Sequence, residues 1–235
     1  MKVRVKFEKT GPVKFVGHLD TMRYFQKAVR RAALPAAFSS GFSPHMIMSF
    51  ASPLGVGVES TGDYFDMELV KEVPTREIAE KLNAVMAEGF AVVSVCQVED
   101  GKAGKAMSLV AAADYDIRFR EGKEPKALRE RSLSEAVSAF LSCPVIEIHK
   151  ETKKGEVLVD IRPRIFLMRA EGDGIFCRLA SASADYTQPS AVMDAFVRFL
   201  GEEPLEYAYQ VTRRELYAGN PEDGFVTLGA LGSER

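Results

Sequence analysis

Two hydrophobic periods alternate along this 235-residue chain, and they do so twice in nearly the same order. A period of two marks a strand with one face on a core, and a period near 3.6 marks a helix. Val3, Val5 and Phe7 alternate with Lys2, Arg4 and Lys6, which predicts a half-buried strand. From His18 to about Ala33, the residues Leu19, Met22, Phe25, Val29 and Ala32 recur at three- and four-residue spacing. That is a helix with one core-facing stripe, and Pro35 stops it. A short strand at 47–50, a strand at 64–70, a helix at 75–87 capped by Thr75 and a strand at 90–98 follow. The order is βαββαβ, which fits a ferredoxin-like split βαβ sandwich with its helices on one side of an antiparallel sheet.

The segment GKAGKA at 101–106 reads as a linker, being small and charged. Beyond it come strands at 115–120, 145–149, 156–162, 165–170, 175–180 and 205–212. Helices fall at 132–142 and 189–200, the second begun by Pro189 at its first turn. The expected fold class is therefore α+β: two tandem ferredoxin-like (split βαβ) sandwiches with antiparallel sheets, the second with an extra strand or irregular insert. The expected domains are 1–100 and 107–218, with a flexible Gly/Pro/acid-rich tail at 219–235.

Charge is distributed unevenly over this pattern. The first 60 residues carry nine Lys/Arg and three Asp/Glu, 9 − 3 = +6, and the remaining 175 carry 22 − 30 = −8. A basic first segment implies an anionic partner, with RNA the obvious candidate. The overall charge of −2 excludes a general nucleic-acid coat. No apolar run approaches the roughly 20 residues of a membrane span. The opening MKVRVKFEKTG alternates as a strand does and lacks the apolar core of a signal peptide, so a cytoplasmic protein without membrane contact is expected. Cys96, Cys143 and Cys177 are far apart among apolar residues, which reads as inert buried thiols. With no CxxxCxxC and no His at ligand spacing, neither a metal nor a cofactor is expected of this chain. Phosphate-loop, dinucleotide, zinc-protease and serine-hydrolase motifs are all missing from the sequence.

The chemistry-bearing residues gather between Phe15 and Ser60. His18 starts the first helix with Asp20 nearby, placing an imidazole where it can act as general acid or base. The plainer reading is a ring that bonds a backbone group under the following loop. Arg23, Lys27, Arg30 and Arg31 form a basic helix face, either a grip on a sugar–phosphate backbone or a solvated surface. Ser39, Ser40, Gly41, Phe42, Ser43 and His45, with Ser49 beyond, build a segment able to offer backbone N–H groups to phosphate and an aromatic ring to a base. The alternative is a long connection between helix and strand. In the second half, Asp160, Arg162 and Arg164 share a strand face, and His149, Lys150, Lys153 and Lys154 lie on the preceding hairpin; cross-strand ion pairing is the simpler account and a binding role the alternative.

The runs GHLDTMRYFQKAVRRAALP, SSGFSPHMIMSFASPLGVGVES and DYFDMEL, with KGEVLVDIRP and VTRREL later, resemble the bacterial uncharacterised domain linked to radical S-adenosylmethionine proteins. That resemblance implies a module fused to, or encoded beside, a radical enzyme, and an accessory role in RNA modification. It places the family signature here on His18, Asp20, Arg23, Arg30, Arg31, Ser40, Gly41, Phe42, Pro44, His45, Ser49, Pro53, Gly57, Glu59 and Ser60. Met46 departs from the proline expected after the histidine.

Three functions compete. A non-catalytic module would present tRNA or rRNA to a radical S-adenosylmethionine enzyme. A scaffold would dock that enzyme through the acidic half. A metal-independent endoribonuclease would use His18 with Arg30 or Lys27, by analogy with CRISPR repeat-processing enzymes of tandem ferredoxin-like architecture.

Overall fold

The computed structural model describes residues 1–99, 101, 104–152 and 155–233. Along the chain run β1 (Lys2–Lys9), α1 (His18–Arg31), β2 (Met48–Phe50), β3 (Glu59–Glu68), α2 (Thr75–Asn83), β4 (Phe90–Val98) and the single turn α3 (Ala106–Leu109). Next come β5 (Ala112–Phe119), α4 (Leu133–Leu141), β6 (Glu147–Thr152), β7 (Gly155–Asp160), β8 (Ile165–Glu171) and β9 (Gly174–Ala180). The chain closes with α5 (Pro189–Phe199), β10 (Tyr209–Asn220) and β11 (Gly224–Thr227). The fold is mixed α+β, and its registered strand pairs are antiparallel. Contacts divide it into Met1–Ala111 with Arg213–Arg235, and Ala112–Thr212.

In the first unit β1 lies between β4 and β3. The outer edge of β3 is shared: β2 pairs with Phe65 to Met67, while Ser60 Oγ bonds the carbonyl of Arg213 on β10. Val3, Val5 and Phe7 meet Phe65 and Met67, and on this face Phe25, Ala28 and Val29 of α1 and Ile78 and Leu82 of α2 complete one core. The expected half-buried β1 is instead buried on both faces, with Arg4 only 1 % exposed. Its polar side is covered because Arg4 donates to Asp66, to the carbonyl of Gly104 and to the carbonyl of Leu228. Thr75 is the first residue of α2 and not its cap, which is Pro74. On α1 the buried stripe begins at Thr21, and Leu19 is exposed. At 100° per residue Thr21 lies about 40° from Phe25 around the helix and Leu19 about 120°, so the threonine takes the inward place.

Residues 219–233 continue β10 into β11 and a 3₁₀ turn at Leu228–Leu231, and Leu228 is fully buried. Residues 234 and 235 of the expected tail, and Lys102 and Ala103 of the expected linker, lie outside the described residues.

In the second unit β5 pairs with β9 and β9 with β8, while β6 and β7 form a separate hairpin. Phe140 of α4 packs on Phe196 and Phe199 of α5. The expected strand face of Asp160, Arg162 and Arg164 is not formed. The strand stops at Asp160, whose carboxylate accepts from the backbone N–H groups of Ile146 and Arg162. Two backbone donors hold that carboxyl below its usual range. Arg162 bonds the Leu141 carbonyl, and Arg164 pairs with Asp185 at 3.2 Å. Lys153 and Lys154 lie outside the described residues.

Candidate functional site

The residues singled out from the sequence separate into two places. At one end of the first unit, α1 runs out through exposed Arg30 and Arg31 into a narrow hairpin. Ala36 bridges to Leu69, and Phe38 bridges to Met46. Ser39 and His45 close the hairpin: Ser39 N–H donates to the His45 carbonyl, His45 N–H donates to Ser39 Oγ, and Oγ lies 2.8 Å from Nδ1. Beyond this clasp Ser40, Gly41, Phe42 and Ser43 are exposed, and Gly41 takes a φ of +113° that a side chain would resist. Phe42 packs on nothing and is fully exposed. Ser49 lies back on β2 opposite Asp66, partly covered.

Along the helix Arg23 pairs with Asp20 at 3.0 Å in the open. Arg31 donates to the Val85 carbonyl and sits 5.8 Å from the Tyr24 ring centre. Lys27 and Arg30 are exposed and make no ion pair among the described residues.

His18 lies elsewhere. It packs edge-on against Phe50, ring centres 5.4 Å apart, and lines a small cleft, with room for about one water molecule, that opens to solvent. Lys9, Thr21, Ser52 and Asp63 share the lining, with Phe7, Phe50 and Leu54 as its apolar wall. Six residues of β3 separate Asp63 from Leu69, about 20 Å at strand rise, so His18 and His45 occupy opposite ends. Arg30 is twelve residues from His18 along α1, about 18 Å, and Lys27 about 14 Å. Neither can serve the same phosphate as His18, and the pairing expected for a nuclease is not formed.

What does surround His18 was not legible as a site. Arg213 holds Asp63 with two bonds, Nε to Oδ1 at 2.7 Å and Nη2 to Oδ2 at 2.9 Å. The same guanidinium donates to the carbonyls of Ser52 and Pro53. Lys9, 1 % exposed, donates to the carbonyls of Lys14 and Val16. Burial lowers the pKa of Lys9, and burial also lowers that of His18, with Asp63 opposing in both cases and Arg213 reinforcing. A neutral imidazole is thereby favoured. The expected strand begins at Tyr64, so Asp63 falls outside it, whereas β3 begins at Glu59 and carries Asp63 inside.

Among the described residues no three His, Cys, Asp or Glu side chains converge to hold a metal ion. Cys96 and Cys177 are buried and Cys143 is half-buried; burial pushes the Cys177 thiol well above its ordinary value. Among the described residues no helix is long and apolar enough to cross a membrane.

Compared with known proteins, residues 2–190 match the family described as an uncharacterized protein conserved in bacteria, DUF2344. The chain belongs to that family. The match ends before β10, so Arg213 stands outside it. No curated protein matches the chain.

Proposed function

We propose that this DUF2344 protein is a cytoplasmic RNA-binding module, without a reaction of its own, that presents RNA to a radical S-adenosylmethionine modification enzyme. The observation that carries the RNA reading is Phe42, a fully exposed aromatic ring at the tip of a hairpin clasped by Ser39 and His45. An unsupported ring in water is unfavourable for the free protein and well suited to stacking on an unpaired base. The basic end of α1 stands at the foot of that hairpin, so phosphate contacts and a stacking platform lie together. The enzyme partner rests on the sequence resemblance. Tandem ferredoxin-like architecture, a frequent RNA-binding frame, is supported by strand order. β4–β1–β3–β2 in the first unit and β10–β5–β9–β8 for the second repeat both put the first strand beside the last.

The test is equilibrium binding of labelled single-stranded RNA across a salt series, with each mixture also run on a denaturing gel. Intact RNA should bind, with affinity falling linearly in log salt. Phe42→Ala should weaken binding roughly tenfold, as the loss of one stacked base does. Arg30→Glu with Arg31→Glu should flatten the salt slope. No binding at low salt, or indifference to these changes, removes the RNA reading. Failure of the radical enzyme to co-purify after nuclease treatment removes the partner.

A further inference from the structure

One cation too many is buried beneath the start of α1. Both oxygens of Asp63 are taken by Arg213, so that pair is neutral. Among the described residues the ammonium of Lys9 has only two backbone carbonyls as acceptors, which leaves one of its three protons unassigned, and Asp63 is the one carboxylate set against both Lys9 and Arg213. Glu59 is already matched by Lys14 at 3.0 Å. An uncompensated charge this deep is costly. Two more polar groups face the same space. Thr21 is 4 % exposed, and its Oγ1 has no hydrogen-bond partner among the described residues. The His18 ring, held by its packing on Phe50, likewise has no hydrogen bond among the described residues. An ammonium, an imidazole N–H and a hydroxyl form a donor set, and the space they line carries one net positive charge with His18 neutral.

We infer that this cleft is a binding site for an oxyanion, a carboxylate or phosphate group of a ligand, received by Lys9, His18 and Thr21. Its interior admits an oxygen atom and little more, and it is partly open to solvent. The segments that supply the lining also carry Phe15, Leu19 and Val56, all more than half exposed, an apolar surface for the body of such a ligand. The lowered pKa values of Lys9 and His18 are consistent with this, since an entering anion offsets the burial that depresses both. The site is separate from the basic end of α1 and does not depend on RNA binding there.

With three histidines in the chain, the ring protons can be followed individually by NMR in the full-length protein. Inorganic phosphate, acetate and a nucleoside 5′-monophosphate would be titrated in turn. A saturable shift of the His18 ring, with His45 and His149 unmoved and the His18 pKa raised, is the expected result. Saturation by phosphate or acetate identifies a free small anion; saturation by the nucleotide alone identifies a phosphate that needs its organic body. Lys9→Met should abolish the shift. Because that change also removes two bonds to backbone, Thr21→Val is the second variant. It is nearly isosteric, removes an orphaned hydroxyl and should leave the melting temperature unharmed while weakening binding roughly tenfold. Arg30→Glu should change nothing. The inference is overturned if none of the three probes gives a saturable His18 shift, if all three histidines move alike, or if Thr21→Val binds as wild type does.

Discussion

Asp63 and Asp66 stand three residues apart on β3, each gripped by an arginine and each nearly inaccessible, yet their surroundings differ in kind. An odd spacing on a strand sends them to opposite faces. Asp66 accepts from Arg4 Nε at 2.8 Å and from the N–H of Ala106, and Arg4 fills its remaining donors with the carbonyls of Gly104 and Leu228. Lys2 Nζ lies 3.8 Å from Asp66 Oδ2 with no hydrogen-bond partner among the described residues, and the Arg4–Asp66 pair ties four distant segments together. Asp63 is also well held, but its neighbours Lys9, Thr21 and His18 keep unspent hydrogen-bonding capacity toward a cleft. Equal burial and equal pairing thus accompany two roles, and unmet valences that line a cleft, more than the ion pair, mark the one that can bind.

The comparison can be broken most forcefully at Asp66. Asp66→Ala strands Arg4, with Lys2 beside it, as buried cations and should lower stability by about 3–5 kcal/mol in urea unfolding. A loss comparable to a surface pair would mean that the Arg4 network does not organise the fold. Gly62 tests the other pair from the backbone side. A Cβ there would meet the Arg214 carbonyl oxygen at 2.0 Å, so Gly62→Ala must push β3 and β10 apart; about 2–3 kcal/mol should be lost, together with the Arg213–Asp63 geometry. Asp63→Asn sharpens the contrast without a clash. Removing the carboxylate that raises the His18 pKa should lower it further by NMR titration, whereas Asp66→Asn should leave His18 where it was.

The smallest effect is in the pH profile of stability. His18 has a folded pKa below its ordinary 6.5, chiefly through burial. Between the folded value and 6.5 the unfolded chain therefore binds more protons, and stability contributed by the neutral ring is lost as pH falls through that window. Denaturation midpoints taken on both sides of 6.5 should show this fall in the wild type and a flatter profile in His18→Gln.

Local pattern carried the elements well. Alternation located β1, three- and four-residue spacing located α1, and the strand at Phe90–Val98 was legible to the residue. It did not carry which polar residues were buried. Lys2 and Arg4 read as the polar side of a half-buried strand, but β1 is flanked on both sides and covered by residues more than 200 positions later. The Arg213–Asp63 pair joins residues 150 apart, and no periodicity records such a partner. His18 and Arg30 sit in one continuous motif and suggested one site. The length of the helix between them makes that impossible.

The return of the chain to its first unit at Arg213 has a consequence for how the protein is made. A ribosome will have released all of residues 1–111 while Asp63 still lacks Arg213 and Arg4 still lacks the Leu228 carbonyl. The first unit is begun first and finished last: until synthesis passes β10 the Asp63 carboxylate waits without its arginine, and Arg4, already paired with Asp66, waits for one of its carbonyls. A nascent chain stalled at residue 111 should accordingly resist protease less well than the same residues in the released protein.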